Sequence, residues 1–262
     1  MTADKIRTRP PEDLVRYTCG HNDVDEYLRS GREVAQQFEL ASARHFGPMG
    51  STFHSILDFG CGAGRILDAL DFGSARVAAC DVGIDVATFS KGAFPAVDVR
   101  HTGMAPPLPF ENGAFDLVYS FSVFSHLTRS GEDAWLEELS RVGGDRCAYL
   151  ITVHGDWMIE ATLEGEEQET ALRDGFFYKI VHNRNQTGID FPEDYEASYH
   201  TSQYIREHWS KWFEIIDVVK GENPRRYLFG DLEFEYAGGS VPDFRPMGQD
   251  LVIARKRQTV TG

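Results

Sequence analysis

The sequence predicts an α/β chain built on a doubly wound, mostly parallel sheet. Three observations carry this. Ile56-Leu57-Asp58-Phe59 is a short apolar run that enters the glycine-rich stretch Gly60-Cys61-Gly62-Ala63-Gly64-Arg65, the pattern of a buried strand turning tightly into a helix. Strand-like and helix-like segments then alternate, which favours parallel pairing with right-handed crossovers. Finally, Arg76-Val77-Ala78-Ala79-Cys80 ends at Asp81, nineteen residues past Gly62, and ligands of such sheets sit beyond the carboxyl ends of the strands.

Taken in order, residues 12–48 read as helical. One run, Val24 to Gly31, ends at a glycine stop. A second, Arg32 to Phe46, places Val34, Phe38 and Ala41 near one face. Strands are expected near 55–59, 76–80, 96–100, 115–121 and 147–153, and helices near 63–70, 85–91 and 131–142. Met158 to Asp174 is an acidic helical stretch whose Glu164, Glu166, Glu167 and Glu169 form a solvated face. Phe176 to Val181 reads as a strand and Asn183 to Gly188 as a turn, together a hairpin. Trp212 to Val219 and Gln249 to Ala254 are the last two strands. The chain thus divides into an N-terminal helical segment (1–54), an α/β core (55–153), an insert (154–209) and C-terminal strands (210–257). An insert of that length in a compact domain is usually a lid or a binding loop.

With 262 residues and 42 % hydrophobic content, one α/β domain with elaborations is expected. The net charge of −15 argues against a nucleic-acid partner, since phosphate backbones are held by clustered Lys and Arg. It leaves room for a neutral or cationic substrate, or a phosphorylated one held locally by Arg225-Arg226. Cys19, Cys61, Cys80 and Cys147 are widely spaced, without the pattern of a zinc site or a disulfide framework. Met1 to Pro11 does not read as a signal peptide, and no apolar run reaches the ~18 residues of a membrane helix. A cytoplasmic protein is expected, with no membrane partner; oligomeric state is not legible.

The order Gly60-x-Gly62-x-Gly64, with Arg65 at the sixth position, departs from the dinucleotide fingerprint G-x-G-x-x-G. An acid beside the turn would repel a pyrophosphate and attract an ammonium. Leu108-Pro109-Phe110-Glu111-Asn112-Gly113-Ala114-Phe115-Asp116-Leu117-Val118-Tyr119-Ser120 and Ser122-Val123-Phe124-Ser125-His126-Leu127 follow in order. Together these segments resemble the class I S-adenosylmethionine-dependent methyltransferases, over residues 55–153 above all and closest to bacterial enzymes of glycan and secondary-metabolite pathways. The resemblance implies a Rossmann-like, seven-stranded sheet with its last strands antiparallel, N-terminal helices over the cofactor, and a cap after the fifth strand. It implies S-adenosylmethionine as donor, with S-adenosylhomocysteine as product. Asp58, Gly60, Gly62 and Gly64 are expected at the methionine tail, Asp81 at the ribose, Met104 and Ala105 at the adenine, Ser120 and Phe121 along the channel, and Val82 among the cofactor contacts. Many relatives carry an acid near the place of Met104, so backbone groups around Gly103 to Ala105 would take over here.

Methyl transfer from a sulfonium is an in-line displacement that depends on alignment. A hydroxyl acceptor also needs a base, and histidine suits that at neutral pH. His126 follows the fourth strand, His154 the fifth, and His200 closes the insert with Tyr199 and Glu196 as supporters. O-methylation of a small-molecule or glycan hydroxyl is therefore the leading expectation. N-methylation on the same fold, a non-catalytic donor-binding regulator and a nicotinamide oxidoreductase are the rivals. A Mg²⁺ variant on His126, His154 and Asp156 lacks tight ligand spacing, and hard cations prefer oxygen. Trp157, Phe176, Phe177 and Tyr178 are either acceptor-stacking rings or the insert's own small core.

Overall fold

The structure, a computed structural model, describes residues 9–179, 197–221 and 248–258. Seven strands form one sheet: β1 (Ser55–Phe59), β2 (Arg76–Asp81), β3 (Asp98–His101), β4 (Phe115–Ser120), β5 (Gly143–Val153), β8 (Phe213–Val219) and β9 (Asp250–Lys256). Their order is β3-β2-β1-β4-β5-β9-β8. Pairings from β3 across to β5 are parallel, and β9 runs antiparallel to both β5 and β8. The chain reverses direction across the sheet between β1 and β4, so the carboxyl ends of β1, β2 and β4 open one crevice.

Alternation along the strands sets the two faces. Leu57 and Val118 pack on one side with Trp135, Leu136 and Leu139 of α5 (Arg129–Val142) and with Tyr204 and Ile205 of α8 (Ser202–His208). Ile56 and Leu117 pack on the other with Val34, Phe38 and Ala41 of α2 (Val24–His45). Asp23 caps α2 by accepting from the Glu26 amide at 2.9 Å, and Thr128 caps α5 by accepting from the Gly131 amide at 3.1 Å, each satisfying an end donor. Asp116 accepts from the His54 and Ser55 amides at 2.8 and 2.9 Å, so this acid ties the start of β1 to β4. Among the described residues, five further helices complete the main elements: α1 (Glu12–Cys19), α3 (Met49–Thr52), α4 (Ile84–Ala93), α6 (Asp156–Thr162) and α7 (Gly165–Asp174).

Several expected boundaries differ. Gly31 does not stop a helix; α2 runs through it for 22 residues. A Cβ there would lie 2.4 Å from the Arg65 carbonyl oxygen, so this glycine permits a close crossing. No α-helix forms over 63–70. Gly62 and Gly64 hold φ of 52° and 80°, and the following hydrogen bonds mix three- and four-residue spacings, giving a chain of turns. The acidic stretch is two helices, because Leu163 leaves the helix to pack with Met158, Ile159, Ala171 and Tyr199. Trp157 and Phe177 join that small cluster, the insert's own core. Strand β6 (Phe176–Lys179) pairs antiparallel with β7 (Ala197–His200). The expected turn at Asn183 to Gly188, Glu196 and the Arg225-Arg226 pair lie outside the described residues. Among the described residues, no helix is long and apolar enough to cross a membrane.

Candidate active site

At the carboxyl ends of β1, β2 and β4 lies a cavity of about 400 Å³, within the size range of small-molecule sites, roughly 300–1,000 Å³. Its floor is the glycine turn. Gly60 and Cys61 both donate their amides to the Cys80 carbonyl, at 2.9 and 3.0 Å. The Gly62 amide donates to Asp81 Oδ2 at 2.8 Å, and the Gly83 amide to Asp81 Oδ1 at 2.8 Å. From α2, the Tyr27 hydroxyl accepts from the Ala63 amide at 3.1 Å. Gly60 and Gly62 have φ of 85° and 52°. A Cβ on them would meet Val123 Cγ2 at 2.2 Å and Thr18 Cγ2 at 2.7 Å. Both glycines are therefore required by the walls as well as by the turn.

Of the expected cofactor residues, Gly60, Gly62, Asp81, Val82, Met104 and Phe121 line the cavity. Asp58 does not. It is 1 % exposed and accepts from the Tyr119 hydroxyl at 2.9 Å. Burial pushes its carboxyl up to about 8. Its place on β1 turns it under the turn, whereas Asp81 ends its strand and reaches the crevice. Burial also raises the Asp81 pKa, opposed by the Gly83 and Gly62 amides. Ser120 is fully buried and donates to the Phe59 carbonyl at 2.9 Å. Gly64 sits against Phe94, and neither it nor Ala105 reaches the wall. Burial drives the Cys61 thiol well above its ordinary value, in keeping with a packed spacer.

The three candidate histidines separate. His126 lines the cavity, on the short turn Phe124–His126 after β4. His154 stands behind it, with ring centroids 6.0 Å apart and nearly perpendicular. Burial, then the neighbouring His126 and His200, lower the His154 pKa to about 3, so it is neutral near pH 7 and a weak base. His200 is fully buried and bonded through Nε2 to Glu132. Glu132 also accepts from the Tyr204 hydroxyl at 2.6 Å and Trp209 Nε1 at 3.0 Å, so His200 is a core tie, not a cavity base. Asp156 accepts from the Ser202 amide and hydroxyl and pairs with Lys220 at 3.1 Å; among the described residues it does not join His126 and His154 in a cluster of ligand atoms.

Sequence reading passed over Thr18, Arg65, Thr102 and Ser122, all on the cavity wall. Thr102 is 5 % exposed, and its Oγ1 has no hydrogen-bond partner among the described residues. A buried polar atom without a partner at a cavity wall is what a polar ligand would satisfy. Asp81 likewise retains acceptor sites beyond its two amides. The residues present thus fit a nucleoside-bearing ligand.

Residues 56–143 match the family described as "Methyltransferase domain". The fold is shared with solved structures of low sequence identity. One is 1,6-didemethyltoxoflavin-N1-methyltransferase from Burkholderia thailandensis, at 14 % identity and TM-score 0.58, covering 94 % of this chain and 86 % of that one. Another is a putative S-adenosylmethionine-dependent methyltransferase from Listeria monocytogenes, at 18 % and 0.55, covering 86 % and 98 %. A third is a Pyrococcus horikoshii protein, at 14 % and 0.55, covering 92 % and 95 %. Residues 56–143 thus carry a methyltransferase domain, on a fold shared with solved S-adenosylmethionine-dependent methyltransferases.

Proposed function

We propose that the protein is an S-adenosylmethionine-dependent methyltransferase acting on a hydroxyl of a small molecule or glycan, with His126 as general base. One observation carries the reading. Among His126, His154 and His200, only His126 lines the cavity formed by the glycine turn and Asp81. Asp81 would hold the donor's ribose hydroxyls, with Val82 beside it. Thr102 Oγ1 and Met104 would meet the adenine, and Gly60, Gly62 and Phe121 would flank the tail. When bound, S-adenosylmethionine supplies an electrophilic methyl whose leaving group is a neutral thioether. Nothing therefore has to protonate a departing atom. The chain's task is alignment and removal of the hydroxyl proton. His126 takes that proton as the new bond forms, and the neutral His154 ring behind it adds no second positive charge. The insert's β7 lies against this end of the sheet: the Ser198 hydroxyl donates to the Phe124 carbonyl at 2.8 Å and the His200 amide to the His154 carbonyl at 2.8 Å. It caps the acceptor side.

His126→Ala should lower turnover ~10²-fold or more while calorimetric affinity for S-adenosylhomocysteine is kept. The assay is label transfer from methyl-labelled donor to a panel of sugars and phenols. Turnover near wild type in the variant removes the base assignment. Label recovered on nitrogen of an amine acceptor overturns the hydroxyl assignment and leaves the enzyme class standing.

A further inference from the structure

At the opposite end of the sheet from the cavity, the local charge reverses. A groove of about 870 Å³ opens where β5 and β8 begin and β9 ends. It shares no wall residue with the cavity. Arg146, Arg206, Arg255, Lys256 and Arg257 meet there, in a chain whose net charge is −15. The counter-charges are Asp145 and Glu214 on the wall, and Asp217, which pairs with Arg206 at 3.7 Å. The cations of the groove therefore outnumber its carboxylates. Three of them are held in place by the fold. Lys256 Nζ donates to the Gly143 carbonyl at 2.8 Å, and Arg257 Nη1 donates to the Ser210 carbonyl at 2.5 Å. The Arg255 guanidinium stands 5.1 Å from the Phe46 ring centroid, a stacking distance. Each of these groups keeps further N–H donors. Among the described residues, neither Arg146 nor Arg255 forms an ion pair.

Like charges gathered in one groove repel one another, and an anion seated among them removes that cost. A lone carboxylate brings one charge. A phosphate monoester brings nearly two near pH 7, with three acceptor oxygens, and guanidinium forks bond such oxygens in pairs. A long polyanion suits the groove less well, because beyond it the strand would run over a surface of its own sign. We propose that this groove binds a compact phosphate-bearing ligand, with Arg146 and Arg255 as the open forks and Lys256 and Arg257 as fixed charges beside them. Nothing in this site depends on the donor cavity.

Calorimetry on the full chain tests this with inorganic pyrophosphate and glucose 6-phosphate, each with and without S-adenosylhomocysteine. At least one probe should bind with a Kd below about 1 mM. Tighter pyrophosphate marks a free phosphate ligand, and tighter glucose 6-phosphate a phosphorylated metabolite; either supports the site. Replacing both forks, Arg146→Gln with Arg255→Gln, should weaken that probe about 10- to 100-fold, the worth of hydrogen bonds to a charged group. The melting temperature should stay at the wild-type value. Arg146→Lys with Arg255→Lys keeps the charge, loses the forks and should show a smaller loss. Tricarballylate, a carboxylate anion of similar charge, should bind more weakly than the phosphate probe. The proposal is overturned by binding of neither probe, by affinity unmoved in the glutamine variant, or by equal affinity for tricarballylate. Competition by S-adenosylhomocysteine also overturns it, since the anion then occupies the cavity. Short duplex DNA that binds more tightly than both probes assigns the groove to nucleic acid instead. Should the double glutamine variant melt far below the wild type, Arg146→Gln alone, at an exposed position, carries the same comparison.

Discussion

Asp58 is where burial and charge oppose each other most directly. Its carboxyl is raised to about 8 by burial, although the Tyr119 hydroxyl donates to it. A folded value above the unfolded one, near ~4, means the native state holds the proton more tightly. The stability this group contributes is full below the unfolded value and is lost as pH rises through the folded one. Asp58→Asn keeps an acceptor for Tyr119 and should flatten that loss. Urea unfolding from about pH 5 to 9 should therefore show the variant gaining on the wild type as pH rises. Parallel curves would assign the slope to another group. Glu132 has the opposite sign. Burial alone would raise it, but His200, Tyr204 and Trp209 bring it below its ordinary value. Its contribution is present above the unfolded value and lost as pH falls through the folded one. A charged hub of this kind explains why His200 belongs to the core although its position at the end of the insert resembles that of a base.

At the scale of elements, the crossing of α2 over the residues after the glycine turn organises the site. Tyr27, Ser30 and Gly31 all meet the segment 63–65. Gly31→Ala tests this crossing. Alanine is the better helix former by about 1 kcal/mol, so on an isolated helix it would stabilise. Here the added Cβ meets backbone at 2.4 Å. The expected result is a net destabilisation of about 1–3 kcal/mol, read as a lower urea midpoint with unchanged slope, and weaker S-adenosylhomocysteine binding because the glycine turn that floors the cavity is displaced. A stabilised variant would show that α2 can move without cost. The same crossing explains why residues 63–70, which scan as helix, form turns: two positive-φ glycines and a backbone pressed against α2 outweigh local propensity.

For the whole molecule, the cavity draws its walls from α1, α2, the ends of β1, β2 and β4, and the His126 turn. Donor binding should therefore be felt globally. At 100 times its Kd, S-adenosylhomocysteine should add about 2.7 kcal/mol to stability if the unfolded chain does not bind it, measured as a shift in the urea midpoint. A chain beginning at Val24 lacks Tyr17 and Thr18 from the wall. It should keep the cooperative transition and show a smaller ligand shift. An unchanged shift would place α1 outside the binding site.

Strand positions and the glycine turn were readable from residue order because both are local: alternation by two along Ile56-Leu57 and Leu117-Val118 assigns faces, and Gly60 and Gly62 take backbone angles that other residues resist. Asp81 was readable for the same reason, standing at the last residue of its strand. What residue order could not determine was direction. Asp58 and Arg65 sit seven positions apart in one motif, and only packing turns the acid under the floor toward Tyr119 and brings the guanidinium into the cavity between Tyr27 and Phe121. His126, His154 and His200 look alike as loop histidines. Their separation into a cavity group, a buried neutral ring and a core tie depends on α5, α8 and β7, whose contacts span dozens of residues. Local conformation follows from neighbours along the chain; exposure, charge and partner choice follow from neighbours in space.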